Sequence, residues 1–124
     1  MTNRLSLKEY AASHLIVGDG AMGTWLYQKG ITIGQCAEEL NLSRPEVIRE
    51  VHREYYEAGA RLIETNTFGA NRYALSRFGL EDQVYRINWK AASLARQAAG
   101  KDAFVAGSMT AVSSSRARQD ILPA

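Results

Sequence analysis

Two helix-then-strand units fix most of what this chain can become. In "SRPEVIREVHREYYEAGARLIETNTF" (43–68), Val47, Ile48, Val51, Tyr55 and Ala58 fall on one helical face. Ser43 and Glu46 have the spacing of a capping box, Pro45 suits a first helical turn, and Gly59 is a stop. A short apolar strand then begins at "RLIE". The pattern repeats further on. Val84, Ile87, Ala91, Leu94 and Ala98 form the stripe of a helix starting near Asp82, Gly100 ends it, and "AFVAGS" (103–108) is the next strand. "HLIVG" (14–18) supplies an earlier strand, and a short helix over 70–78 closes at Gly79. Short apolar strands alternating with helices predict an α/β fold with a parallel sheet and helical crossovers.

The segments between are less regular. "TWLYQKG" offers about two helical turns before Gly30, and "ITIGQCAEELNL" reads as an irregular connection with one helical turn at most. From Thr110 the sequence "TAVSSSRARQDILPA" becomes Ser- and Arg-rich without period, which predicts a poorly ordered tail. The expected organisation is therefore one domain over 1–108 and a divergent tail over 109–124.

Composition narrows the function class. The 124 residues carry 15 basic and 13 acidic side chains dispersed along the chain, so nothing favours a nucleic acid or an anionic membrane. The single cysteine, Cys36, precludes an internal disulfide and fits a reducing compartment. No apolar run approaches the roughly 18 residues of a membrane span. The expected location is the cytoplasm.

Gly18, Gly20 and Gly23 in "GDGAMG" match the dinucleotide fingerprint G-x-G-x-x-G. The surroundings do not. The helix after Gly23 is cut short by Gly30, whereas a dinucleotide site needs a full crossover helix aimed at the pyrophosphate. Glu38 and Glu39, near the offset of the ribose-binding acid, lie in an irregular segment, and Asp19 would bring a carboxylate against a diphosphate. In parallel α/β folds ligands sit at the carboxyl ends of strands. There Asp19 can take an ammonium, and the backbone N–H groups beside Gly20 and Gly23 can take a carboxylate. The next strand ends in Glu64-Thr65-Asn66-Thr67, a polar run that either faces the same ligand or caps the following helix.

Taken together, "DGAMGT" (19–24), "EELNLSRPEVIREVHREYYEAGA" (38–60), "IETNTFGANR" (63–72), "FGL" (78–80), "INWKAASLARQAA" (87–99) and "VAGS" (105–108) resemble the N-terminal part of the homocysteine S-methyltransferase domain. That family includes methionine synthases and the betaine- and S-methylmethionine-dependent enzymes. It also includes bacterial fusions with methylenetetrahydrofolate reductase. The resemblance implies a (β/α)8 TIM barrel, of which about three βα units are present. It also implies transfer of a methyl group to the thiol of homocysteine, giving methionine. In the family three cysteine thiolates hold zinc, which keeps the substrate sulfur ionised, and the methyl donor comes from a separate domain or cofactor. By resemblance Asp19 binds the amino group of homocysteine, while Gly20 and Thr65 contact its amino-acid end. Glu64 and Asn66 belong to the same motif.

The resemblance also implies what is missing. The zinc-binding cysteines lie on later strands of the family, and Cys36 occupies a position where relatives carry a cysteine that is no ligand. No metal ligand and no catalytic residue is expected in this chain, and His14 and His52 are expected to be structural. Such a barrel needs roughly 250 residues. After "VAGS" the family continues with Gly-Pro, whereas this chain continues Met109-Thr110-Ala111-Val112. The sequence thus reads as a truncated or frame-shifted version, inactive alone. Alternatively, it is a non-catalytic remnant that self-associates through open sheet edges.

Overall fold

The computed structural model describes residues 5–32, 34 and 36–111. The predicted tail therefore lies, from residue 112 onward, outside the described residues. In chain order the helices and strands are α1 (Leu7–Ala11), α2 (Gly23–Gln28), α3 (Leu40–Ser43), α4 (Pro45–Glu57), β1 (Leu62–Glu64), α5 (Arg72–Ser76), α6 (Val84–Ala99) and β2 (Phe104–Ala106). Single 3-10 turns at Ala37–Glu39 and Glu81–Gln83 lead into α3 and α6.

β1 and β2 pair in parallel, with Leu62 opposite Phe104, Ile63 opposite Val105 and Glu64 opposite Ala106. The strand expected over 14–18 is reduced to one parallel bridge, Gly18 with Leu62. The Val17 carbonyl accepts from the backbone N–H groups of Arg61 (2.8 Å) and Leu62 (3.2 Å), and Asp19 N–H donates to the Leu62 carbonyl (3.0 Å). The reason lies on its outer side. Leu15 is 97% and Val17 59% exposed, so among the described residues no second neighbour extends the ladder.

α4 and α6 pack against each other and against β1. Leu26, Val47, Ile48, Val51 and Leu94 form one cluster. A second gathers Ile63 with Ala60, Ala95, Ala99 and Ala103, where the small residues let α6 approach the strand closely. The predicted stripe of α6 is buried at Ile87, Ala91, Leu94 and Ala98, with Val84 partly covered. Ala58 is the exception on α4. It is exposed and serves as the C-cap, just before Gly59 turns the chain at φ 114°.

The predicted Ser43–Glu46 capping box does not form. Ser43 closes α3, and a residue inside one helix cannot adopt the extended conformation that an N-cap needs for the next. Its hydroxyl donates to Glu39 instead (2.8 Å), Glu46 pairs with Arg44 (3.1 Å), and Pro45 alone marks the first turn of α4. A genuine capping box sits at the start of α1. There Ser6 Oγ accepts from Glu9 N–H (3.2 Å), and Glu9 Oε2 accepts from Ser6 N–H (2.7 Å). Tyr10 of α1 stacks on His14 and packs edge-on against Phe104.

Candidate functional site

The carboxyl end of the sheet opens into a pocket of about 330 Å³. All five residues singled out in the sequence line it: Asp19, Gly20, Glu64, Thr65 and Asn66. They arrive from two loops that leave adjacent parallel segments on the same side, which is where such sheets place ligands.

The first loop is fixed at both ends. Asp19 N–H is held by Leu62, and Asp19 Oδ2 accepts the backbone N–H of Glu64 at 2.9 Å. Two residues on, the Ala21 carbonyl accepts the hydroxyl of Tyr55 from α4 (2.8 Å). A Cβ on Gly20 would lie 2.9 Å from that hydroxyl, so any side chain there would force Tyr55 or the loop to shift.

The second loop is locked by hydroxyls. Thr67 Oγ1 donates to the Ser108 carbonyl (2.8 Å), which leaves Thr65 Oγ1 as the donor in their mutual 2.6 Å bond. Thr65 Oγ1 in turn accepts Ser108 N–H (3.1 Å). The hydrogen of Thr65 is thus committed to the protein, and toward a ligand it has only a remaining lone pair. Asn66 is likewise engaged, its Nδ2 donating to the Ala37 carbonyl (2.9 Å). Thr65 and Asn66 are buried in the wall, while Asp19 is half-buried and Glu64 exposed at the pocket.

Charge follows from this arrangement. Burial pushes the Asp19 carboxyl above its ordinary range, nearby Glu64 adds to the effect, and the Glu64 N–H opposes it. Among the described residues lining the pocket there is no Lys, Arg or His. Asp19 and Glu64 supply its available carboxylates, since both oxygens of Glu38 are taken by Gly69 N–H and the Cys36 thiol. Such a pocket favours a ligand carrying a positive charge.

The residues present do not fit a thiolate-held zinc ion. Burial, the first cause, pushes the Cys36 thiol up, with Glu38 adding to it, and Sγ donates to Glu38 Oε2 at 3.5 Å. Among the described residues no group of three or more His, Cys, Asp or Glu side chains could hold a metal ion. His52 is fully buried in α4, outside the pocket lining, and His14 is exposed.

Thr67 belongs to the polar run already noted at 64–67, but other residues at the site were not expected there from the sequence pattern. The Ser108 backbone anchors the hydroxyls of Thr65 and Thr67, Tyr55 holds the glycine loop beside the pocket, and Glu38 and Phe68 contribute to the lining. Only Tyr55 sat on a periodic stripe, and that periodicity foretold a packing role rather than its hydroxyl bond.

A parallel α/β arrangement whose strand ends converge on an acidic pocket defines the class: an α/β domain with its candidate site at the carboxyl ends of its parallel strands. Its family follows from comparison. The homocysteine S-methyltransferase family model matches residues 16–119, and the chain belongs to that family. It is 40% identical over 99 residues to methionine synthase of Mycobacterium leprae (strain TN), and 38% to that of Mycobacterium tuberculosis (strain ATCC 25618 / H37Rv). Both alignments cover 75% of this chain and 8% of the relative, so the chain spans less than a tenth of their length. The structure is also similar to the homocysteine methyltransferase MmuM from Escherichia coli in its oxidised and metallated forms. The TM-score is 0.74 and the identity 30% for both, covering 84% of this chain and 40% and 41% of those chains.

Proposed function

We propose that this chain forms the amino-acid-binding part of a homocysteine methyltransferase site, in an enzyme that methylates the thiol of homocysteine to give methionine. The carrying observation is the Asp19 carboxylate, oriented by the Glu64 N–H at the mouth of an acidic pocket. In this reading Asp19 takes the substrate ammonium and Glu64 reinforces it. The backbone of Gly20 and the remaining lone pair of Thr65 bound the amino-acid end, and Asn66 holds the wall.

The three parallel segments correspond to the first βα units of a (β/α)8 barrel. The remaining strands, the zinc ligands and the methyl donor's site of such a barrel are not among the described residues. With neither the metal ligands nor the donor, the chain alone transfers no methyl group. Its activity belongs to the assembled enzyme, in the cytoplasm.

Calorimetric titration of the 124-residue chain with L-homocysteine and with 4-mercaptobutyrate, which lacks the amino group, tests the reading. Binding of homocysteine alone is expected. Equal binding of both would remove Asp19 as the ammonium partner, and binding of neither would remove a working site from this chain.

One observation favours a second role for the isolated chain. Leu15 and Val17 are exposed, and among the described residues no strand pairs with this segment on the side away from β1, an edge that could take another copy. Sedimentation velocity over a hundredfold concentration range distinguishes a self-associating chain from a monomer.

A further inference from the structure

The pocket wall formed by the second loop is bonded not only to the sheet but also, from the opposite side, to the segment just before α4. Glu38 Oε1 accepts the backbone N–H of Gly69 at 2.7 Å. Asn41, fully buried, donates from Nδ2 to the Asn66 carbonyl and to the Glu38 carbonyl, both at 2.8 Å. Asn66 returns a bond to the Ala37 carbonyl at 2.9 Å. Three bonds therefore span the two segments, and they bracket Asn66, Thr67, Phe68 and Gly69. The fit is close: a Cβ on Gly69 would lie 3.0 Å from Glu38 Oε1.

We infer that Glu38 and Asn41 are positioning residues for the substrate pocket, clamping the Asn66–Gly69 turn so that Thr65 and Thr67 keep their hydroxyl lock with Ser108. Glu38 lines the pocket, yet both its oxygens are engaged, one by Gly69 N–H and the other by the Cys36 thiol. Its task is to accept from the loop backbone rather than to take the ligand's ammonium, so its acceptor oxygen matters and its charge does not. Asn41 has its Oδ1 buried without a partner, so its donors alone hold it in place.

The affinity part of this inference rests on the homocysteine reading; the clamp itself does not. The test therefore uses two readouts on the 124-residue chain and its E38A and E38Q variants. Amide hydrogen exchange of the ligand-free chain reports the clamp, and calorimetry reports homocysteine affinity. In E38A the Gly69 amide is expected to exchange about tenfold faster, with Leu94 and Ala95 in α6 unchanged and homocysteine bound roughly tenfold more weakly. In E38Q, which keeps an acceptor oxygen, both return to within about twofold of the parent. Unchanged Gly69 exchange in E38A overturns the clamp, as does E38Q behaving like E38A. If E38A unfolds throughout, E38Q decides alone: parental Gly69 exchange supports the clamp and faster exchange overturns it. If the parent chain binds no homocysteine, the functional reading fails while the exchange arm still decides the clamp.

Discussion

Asp19 and Glu64 are 45 positions apart, yet the Asp19 carboxylate accepts the Glu64 backbone N–H at 2.9 Å. One bond thus joins the ends of two neighbouring parallel segments and aims the acid at the pocket. The same bond lowers the carboxyl pKa, but burial, with Glu64 nearby, outweighs it and the net direction is upward. A carboxyl whose folded pKa is raised binds its proton more tightly in the folded chain. Its favourable contribution is therefore complete below the ordinary value of 3.8 and is lost as pH rises through the raised folded value.

Asp19→Asn separates stability from binding. Asparagine keeps an acceptor for Glu64 N–H and removes the charge. At pH 7 and without ligand, the variant is expected to melt about 1–2 °C higher than the parent. Homocysteine affinity should fall roughly tenfold to a hundredfold as the ammonium loses its partner. Differential scanning fluorimetry and calorimetry check the two halves, and a lower melting temperature would contradict the first.

Gly20→Ala and Tyr55→Phe should interact. The new methyl displaces the Tyr55 hydroxyl and breaks its bond to Ala21, so each single change is expected to cost about 1–2 kcal/mol. Because both remove the same bond, the double variant should fall short of the sum by about 0.5–1 kcal/mol in urea titrations. Simple additivity would mean that Tyr55 does not hold the loop.

His52 makes the fold acid-sensitive. Both ring nitrogens are buried without partners, and burial pushes the imidazole from 6.5 to about 4. Between those values the unfolded chain binds a proton that the folded chain refuses. Stability is therefore full above about 6.5 and declines as pH falls towards 4, by about 3 kcal/mol across the window. His52→Leu should flatten this part of the stability–pH curve. An equal slope in that variant would assign the acid sensitivity elsewhere.

Gly59→Ala tests the joint between α4 and β1. At φ 114° an L side chain is strained even though the space beside it is open, so the expected cost is about 1–2 kcal/mol. Chemical denaturation measures it. A neutral result would show that the turn relaxes without disturbing the strand.

What the sequence pattern revealed depended on the range of the interaction. The buried faces of α4 and α6 were legible because Val47, Ile48, Val51, Ile87 and Leu94 recur at the helical period and pack as that period requires. The five pocket residues were legible in two steps. A parallel sheet sends consecutive strand ends to one side, which drew attention to Asp19 and the 64–67 run. The family resemblance then singled out Gly20, Glu64, Thr65 and Asn66, where the pattern alone also allowed a helix cap. Ser43 misled because α3, only four residues long, has no periodicity of its own and still takes that serine out of capping position. The Ser6–Glu9 box gives α1 a local signal, but no apolar stripe long enough to accompany it. Glu38 and Asn41 escaped for a different reason. Their partners lie about 25 to 31 positions away, and hydrogen bonds between irregular segments leave no periodic trace.

The order of the parallel segments in space repeats their order in the chain: Val17–Asp19 beside β1, and β1 beside β2. Each can dock on the one before it while later residues are still being made, with α4 or α6 already available to cover the joint. Assembly during synthesis can thus proceed by accretion, one unit at a time. On that order Asp19 would meet Glu64 at the first docking event, and the loop of Thr65 and Thr67 would find its anchor on the Ser108 backbone only when the last segment arrives.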